Sequence, residues 1–303
     1  MGNNITIADV AETLGVSKTT VSRAISGKGR ISEATRQRVL NYIDEHDYKP
    51  NVIARGLAQS KTFNLCVVMP SNYALVDLPF FQEVIAGIQE IAAMNEYDIL
   101  LCICEENDVS SLERILRNGK VDGVVLLRTF LHDAQIELLS QKKIPFVTTG
   151  STTYKKVKQV DNDHESACRE LTSILLMRGM KRIALLGGSE SYVVTQNRYK
   201  GYAKAYEQMQ QSMDESLIYM NLETKSFIDR AVEDALEKKA DCILCMDDAI
   251  CSQVLRKLRQ EHVKVPNDVK VASFYNSSIL ENNVPSITSL SCIRRTCKAM
   301  DSS

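Results

Sequence analysis

Apolar positions near the amino terminus recur at the three- and four-residue spacing of short amphipathic helices. Ile7, Val10 and Leu14 form the first such stripe. Thr6 stands just before it, with Asp9 three residues further on, and this is the pattern of a capping box at a helix start. The pattern therefore predicts a first helix that begins directly after Thr6.

A turn and two further helices follow along the chain. Gly15 ends the first helix and permits a tight turn, and Ser17 can cap a second helix that runs to about Ser26. A third helix is predicted from about Ser32 to His46. Two short helices joined at a glycine and supported by a third predict a helix-turn-helix, whose second helix enters the major groove of DNA.

The second helix has one apolar and one polar face. Val21 and Ala24 face inward. The residues that face outward are Lys18, Thr19, Ser22 and Arg23. One alternative is a bundle of three small helices whose basic side chains are merely solvated. The glycine turn, the run of hydroxyl side chains and the arginine together favour DNA binding.

After Thr62 the pattern changes to short apolar runs that alternate with amphipathic stretches. The strand-like runs are Asn64–Met69, Asp98–Cys104, Gly123–Leu127, Pro145–Thr149, Arg182–Leu186, Ser216–Met220, Asp241–Met246 and Lys270–Phe274. Nearly continuous apolar strands separated by helices predict an α/β fold with doubly wound parallel sheets. Two such sheets would enclose a ligand cleft between their carboxyl ends.

Composition narrows the class of protein. The chain has 303 residues, of which 44% are hydrophobic and 25% charged, so it is long enough for about two domains with packed cores. It has no apolar run of about 18 residues and no signal-peptide pattern, which predicts a cytoplasmic protein. Nine cysteines then fit a reducing compartment. Cys242 and Cys245 would point to opposite faces of a strand, which favours core packing over chemistry.

Charge is distributed unevenly along the chain. The formal net charge is only -1, but residues 1–62 hold nine Lys and Arg against six Asp and Glu. The head is therefore +3 and the remainder is -4. A basic head on an acidic body is typical of a protein whose head contacts nucleic acid.

Three segments resemble the LacI/GalR family of bacterial repressors. They are Thr6–Ala11 and Gly15–Arg23 in the head, and Tyr48–Leu57, which is similar to the family's hinge. The resemblance implies a two-lobed core like that of periplasmic binding proteins. The expected parts are a head at 1–49, a hinge helix and linker at 50–62, an N-lobe at 63–160, a C-lobe at 161–288 and a return segment to the N-lobe at 289–303.

The residue types suggest how the head would contact DNA. Arg23 can donate two hydrogen bonds to guanine, and Lys18 and Thr19 offer less restrictive base contacts. Hydroxyl side chains suit phosphate contacts. The resemblance further implies that Leu57 wedges into the minor groove, where an apolar side chain kinks DNA. The expected DNA-binding residues are Thr6, Ser17, Lys18, Thr19, Thr20, Ser22, Arg23, Asn51, Arg55 and Leu57.

The resemblance also implies an effector site between the lobes. Its expected residues are Phe80, Phe81, Thr129, Arg198, Asp248 and Tyr275. The Asp247–Asp248 pair binds ligand hydroxyls, caps the next helix, or does both. Asp161, in the crossover between the lobes, is expected to shape the hinge. Tyr275 stands where the family commonly has an aspartate, which together with Arg198 favours an acidic or phosphorylated sugar over a purine.

The sequence indicates a regulator rather than an enzyme. It has no Gly-x-Ser-x-Gly, Walker loop, zinc-protease pair or dinucleotide-binding glycine motif, and we expect no cofactor and no metal site. The expected partners are a pseudo-palindromic operator, a carbohydrate effector and a second copy of the chain. Two alternatives are a catabolite regulator that depends on a phosphoprotein corepressor, and an effector-insensitive DNA-binding protein. The second is considered because the chain stops at Ser303, where the resemblance implies about 30 further residues.

Overall fold

The computed structural model describes residues 5–27, 29–46, 48, 56, 59–71 and 79–290. The chain divides into two compact units, Met1–Phe63 and Asn64–Ser303, which we call the head and the body and describe one at a time.

The head is built on three helices that start where hydroxyl side chains can cap them. The helices are α1 (Ile7–Thr13), α2 (Lys18–Ser26) and α3 (Glu33–Glu45). Thr6, Ser17 and Ser32 are their N-caps, and each side chain accepts a hydrogen bond from the backbone N–H three residues later. Gly15 has φ of +62°, which suits the tight turn between α1 and α2. The predicted helix-turn-helix is therefore confirmed.

A small apolar core holds the three helices together. It contains Val10, Ala11, Val21, Ala24, Val39 and Tyr48. All three helices contribute to this core, so the inward faces expected from the sequence are the buried ones. The polar face of α2 is left exposed.

The body alternates strands and helices. Its strands are β1 (Asn64–Pro70), β2 (Asp98–Cys104), β3 (Gly123–Leu126), β4 (Phe146–Thr149), β5 (Lys158–Val160), β6 (Ile183–Leu186), β7 (Ile218–Tyr219), β8 (Cys242–Cys245), β9 (Lys270–Ser273) and β10 (Thr288–Ser289). Its helices are α4 (Pro79–Met94), α5 (Ser110–Arg117), α6 (Ala134–Lys142), α7 (His164–Met177), α8 (Val193–Gln208), α9 (Lys225–Glu237), α10 (Asp248–Gln260) and α11 (Ser278–Glu281).

The strands form two parallel sheets. The first has the order β2-β1-β3-β4-β5 and the second has the order β10-β9-β8-β6-β7. Apolar side chains are buried on both faces of each sheet. Cys242 and Cys245 lie in different core clusters of the second sheet, which confirms that their side chains point to opposite faces. The predicted α/β architecture is thus confirmed, with parallel pairing throughout.

The boundaries differ from the predicted ones at three strands. The run predicted to start at Ser216 is a 3₁₀ turn over Glu215–Leu217, because the carboxylate of Asp214 accepts a hydrogen bond from Ser216 N, and only the two residues of β7 pair. The pattern also missed β5 and β10, which have three and two residues and lie at sheet edges. Such short, partly polar segments carry too few alternating positions to be recognised. Residues 291–303 of the expected return segment lie outside the described residues.

Candidate functional site

The exposed face of α2 is the candidate DNA-contacting surface. Lys18, Thr19, Ser22 and Arg23 are all exposed there. Ser17 Oγ accepts a hydrogen bond from Thr20 N at 3.1 Å and lies 2.9 Å from Thr20 Oγ1. Ser17 and Thr20 therefore build the start of α2 as well as offering hydroxyls to a ligand.

Thr6 has a similar double position at the start of α1. Its hydroxyl donates to Asp9 Oδ2 at 2.7 Å, and its backbone N–H donates to the same oxygen at 2.8 Å. These hydrogen bonds lower the pKa of Asp9, the side-chain bond contributing most. Thr6 is exposed, but the cap already uses its hydroxyl proton. Only the remaining lone pair is left for another partner.

Two basic residues of the head hold the turn together, a role that composition did not reveal. Arg38 Nη2 donates to Leu14 O at 2.8 Å, and Arg36 Nη2 donates to Gly27 O at 3.4 Å. Both side chains reach from α3 to carbonyls at the ends of α1 and α2, where helices have unsatisfied acceptors. Part of the positive charge of the head is therefore structural.

The stem of Arg23 lies against a glycine. Gly29 has φ of +91°, and a β-carbon added there would lie 3.0 Å from Arg23 Cδ and 3.2 Å from Cγ. Gly29 therefore leaves room for the side chain that the sequence assigns to guanine. The hinge residues Asn51, Arg55 and Leu57 lie outside the described residues.

A cavity of about 140 Å³ lies in the body between the two sheets. The residues that line it follow the carboxyl ends of strands or begin helices, as expected for open parallel sheets. The six residues expected at the effector site all line this one cavity: Phe80, Phe81, Thr129, Arg198, Asp248 and Tyr275. Folding thus brings together residues separated by almost 200 positions.

Aromatic rings form one wall of the cavity. The Phe80 and Phe81 rings are 5.3 Å apart in an edge-to-face arrangement, and Phe80 meets Tyr275 at 5.7 Å in the same way. Phe81 is buried in the core behind α4, while Phe80 is only partly buried. The hydroxyl of Ser273, which replaces the usual glycine, donates to Tyr275 O at 2.7 Å and so fixes the backbone that carries the tyrosine.

Two charged side chains in the second lobe have buried atoms without a partner. Arg198 is 9% exposed and Asp248 is 5% exposed. Arg198 Nη1 donates to Met246 O, and Asp248 Oδ1 accepts from Ala249 N at 3.0 Å. Within the described part of the chain, Arg198 Nε and Asp248 Oδ2 have no hydrogen-bond partner. Unsatisfied buried groups of this kind are costly, and their position in a cavity points to a bound ligand as the missing partner.

The two neighbouring aspartates have different tasks. Asp247 is the N-cap of α10, and its Oδ1 accepts from Ile250 N at 2.8 Å. Asp248 is the first residue of α10 and faces the cavity. Burial, reinforced by the nearby Asp247 charge, raises the pKa of Asp248 above its usual range, against a hydrogen bond from Ser277 that lowers it. The cap and the cavity-facing role expected of this pair therefore fall on different residues.

Thr129 joins the two lobes. Its hydroxyl donates to Ser151 O at 2.7 Å, and its carbonyl accepts from Val193 N at 3.2 Å. The next residue, Phe130, forms an antiparallel bridge with Tyr192. Because its hydroxyl proton is already used, Thr129 serves the contact between the lobes more than it serves a ligand.

The sequence did not single out Arg128 or His164, which also line the cavity. Arg128 Cζ lies 5.1 Å from the centre of the Phe81 ring and 4.8 Å from that of Tyr192. These distances are typical of cation–π contacts. The position of Arg128, two residues beyond the end of β3, was a signal that could have found it, because ligand residues follow strand ends.

Asp161 holds the crossover between the lobes, as expected. Its Oδ2 accepts from Ser151 N at 2.6 Å, and its Oδ1 accepts from Asn162 N at 2.8 Å. His164 Nε2 lies 3.2 Å from Oδ1. Burial lowers the pKa of His164 below its usual value, with further lowering by the charges of Arg198 and Arg128, while its hydrogen bond to Asp161 acts in the opposite sense. A neutral imidazole donating to the Asp161 carboxylate fits this environment.

A helix-turn-helix joined to a two-sheet body with a polar cleft defines a class of proteins, the ligand-responsive DNA-binding regulators. Residues 6–51 match the description of bacterial regulatory proteins of the lacI family. Residues 62–290 match the periplasmic binding proteins and sugar binding domain of the LacI family. The chain belongs to the LacI family.

Relatives support this assignment over most of the chain. Catabolite control protein A of Staphylococcus xylosus is 30% identical over 290 residues, which cover 94% of this chain and 87% of the relative. The HTH-type transcriptional regulator MalR of Streptococcus pneumoniae is 31% identical over 268 residues, covering 86% and 82%. The solved complex of the transcriptional regulator CelR with cellobiose is 27% identical, has a TM-score of 0.72 and covers 98% of this chain and 90% of that one.

The predicted family, fold class and function are confirmed at this level. The chain is a DNA-binding transcriptional repressor of the LacI type, controlled by a small effector. The relatives named above are transcriptional regulators. Among the helices of the described residues, none combines the length and the apolar character needed to cross a membrane.

Proposed function

We propose that this protein represses transcription as a homodimer, with two heads on the half-sites of a pseudo-palindromic operator and a carbohydrate effector in each cleft. The observation that carries the proposal is the presence, in one chain, of an exposed polar face on α2 and a cavity with unpartnered Arg198 Nε and Asp248 Oδ2. Effector binding and DNA binding would then influence each other reciprocally.

In the head, Arg23 reads guanine while Lys18 and Thr19 make further base contacts. Ser17, Thr20 and Ser22, with Thr6 at the start of α1, contact phosphates through their remaining hydroxyl capacity. The hinge residues Asn51, Arg55 and Leu57 enter the minor groove. These roles stay predictions, supported for the head by exposure and capping geometry.

In the cleft, Phe80 and Tyr275 stack against a sugar ring, and Phe81 backs Phe80. Asp248 Oδ2 accepts from ligand hydroxyls, and Arg198 donates to ligand oxygens. Thr129 contributes through the contact that it makes between the lobes. The edge-to-face geometry of the rings and the unpartnered atoms support these roles.

A dimer is supported by an apolar surface on β2, which is an edge strand of the first sheet. Leu101 and Ile103 are 42% and 50% exposed. Exposed apolar edge strands tend to pair with another chain, and two-fold homodimers are the commonest assembly. The dimer would act in the bacterial cytoplasm, at the nucleoid, where operator DNA lies.

A second candidate is a catabolite regulator whose DNA binding depends on a phosphoprotein corepressor rather than on the effector alone. The similarity to catabolite control protein A favours it. The candidates differ in whether the purified protein alone responds to a carbohydrate.

The test is selection of binding sites from random double-stranded DNA by the full chain, followed by titration of the winning site at increasing salt. We expect a palindromic site and a logarithm of affinity that falls steeply and linearly with the logarithm of salt concentration. Enrichment of no sequence, or an affinity insensitive to salt, would contradict the proposal.

A further inference from the structure

Arg128 is the charged residue of the cleft that the proposed function does not use. It follows β3 in the first lobe and lies near two rings, Phe81 from the same lobe and Tyr192 from the second. An arginine held against rings keeps its planar fork in one orientation, so little side-chain entropy is lost when its N–H groups bind a partner. The position is preorganised for an oxyanion.

A second guanidinium faces the same cavity from the other lobe. Arg198 is nine-tenths buried, and its Nε has no partner among the described residues. The charges of Arg198 and Arg128 both lower the pKa of His164, in addition to burial, so both guanidinium groups are within electrostatic reach of one imidazole. Two cations from two lobes therefore converge on one side of the cleft.

The carboxylates of the cleft do not cancel this charge. Asp161 is occupied by Ser151 N, Asn162 N and His164, and Asp247 caps α10. Only Asp248 presents an unpartnered oxygen, and it suits a hydroxyl donor. The polar groups left for a ligand are thus guanidinium donors and one carboxylate acceptor.

Size limits the ligand further. The cavity of about 140 Å³ is close to the roughly 150 Å³ of an engineered cavity that holds one benzene molecule. Together with the aromatic wall, this volume fits a single six-membered ring better than an oligosaccharide.

We infer that the effector, which the proposed function requires to be a carbohydrate, is an anionic monosaccharide whose carboxylate or phosphate ester is bound between Arg128 and Arg198. Its ring lies on Phe80, and one of its hydroxyls donates to Asp248. Because the two arginines belong to different lobes, the oxyanion also joins the lobes. Arg128 is then the residue that selects charged over neutral sugars.

The experiment is calorimetric titration of the full chain with matched sets of glucose, galactose, mannose and fructose, each as the neutral sugar and the 6-phosphate, with the uronates of the three aldoses. Inorganic phosphate and acetate serve as probes of the anion alone. We expect at least one charged member to bind at least about tenfold more tightly than its neutral parent, as one charge-assisted bidentate contact provides. The uronate and phosphate arms decide which oxyanion is preferred.

Variants assign the selectivity to Arg128. Arg128→Gln should reduce the preference for the charged member to within about twofold and leave the affinity for the neutral parent unchanged, and Arg128→Lys should restore part of the preference. Arg117→Gln removes an exposed cation of the same lobe and should keep the wild-type preference.

The inference is overturned if no member binds, if neutral parents bind as tightly as their charged forms, or if Arg128→Gln weakens both equally. Titration of the selected DNA site with the same samples separates this failure from a failure of the proposed function. Intact, salt-dependent DNA binding alongside neutral-sugar binding rejects only the charged effector, whereas absent DNA binding rejects the proposed function itself.

Discussion

The head and the body use polar side chains in opposite ways. On α2, Lys18 and Arg23 are exposed to solvent. In the cleft, Arg198 and Asp248 are buried, and each keeps one atom without a partner in the described part of the body. DNA phosphates attract exposed charge across water, whereas a small ligand has to be recognised by groups that burial has already desolvated. Substitutions on α2 should therefore change affinity alone, and substitutions in the cleft should change stability as well.

The largest expected effect breaks the body and not the head. Gly201 of α8 faces α7, and an added β-carbon would collide with Glu165 O and lie 2.9 Å from Cys168 Cβ. Gly201→Val should lower the free energy of unfolding of the body by roughly 3 kcal/mol, through overpacking against backbone that cannot yield. Urea unfolding measures it. The exposed neighbour Lys200→Ala is the control, and equal stability of the two variants would contradict the close packing.

The next effect separates recognition from stability within the head. Arg23→Ala should weaken binding to the selected DNA site by roughly 1–3 kcal/mol and relax its sequence preference, with unfolding unchanged. Arg38→Ala is the matched comparison. It removes the hydrogen bond to Leu14 O and should cost about 1 kcal/mol of stability. If Arg23→Ala destabilised the head as much as Arg38→Ala, its assignment to DNA would fail.

The adjacent aspartates should respond with opposite signs. Asp248→Asn removes a buried carboxylate that lacks a full set of partners, and we expect it to raise stability by about 1 kcal/mol while weakening effector binding. Asp247→Ala removes the cap of α10 and should lower stability by about 1 kcal/mol. Thermal melts compare both with the wild type. A loss of stability in Asp248→Asn would mean that its carboxylate is satisfied in the folded protein.

The smallest effect is a pH dependence at the crossover. Because the pKa of His164 is lowered on folding, the unfolded chain binds its proton more readily, so acidification below about pH 6.5 lowers stability. One such proton changes stability by at most about 1.4 kcal/mol per pH unit. Asp161 has its pKa lowered as well, but its contribution is present above about pH 3.8 and is lost only below that value.

Urea unfolding at pH 7.5 and 5.5 tests this window. His164→Gln should make stability depend less on pH than it does in the wild type. An equal pH dependence in both proteins would place the titrating group elsewhere.

The comparison also explains which inferences reached the right residues. The helix bounds of the head were predicted closely, because caps such as Ser17 and Ser32 act on backbone groups three residues away. Eight strands were found from continuous apolar runs. The edge strands β5 and β10 were missed because their pairing depends on neighbours that are distant in sequence.

The sequence by itself determined the parts that depend on local spacing, namely the helix-turn-helix, the apolar strands and the motifs of the LacI family. Only the tertiary structure decided which polar groups are unsatisfied, that Asp247 caps while Asp248 faces the cavity, and that Arg128 lies near one ring from each lobe. The physical reason is that a helix cap forms within one turn of chain. A cavity forms where strand order brings together residues far apart in sequence, and burial then sets the energies of their charges.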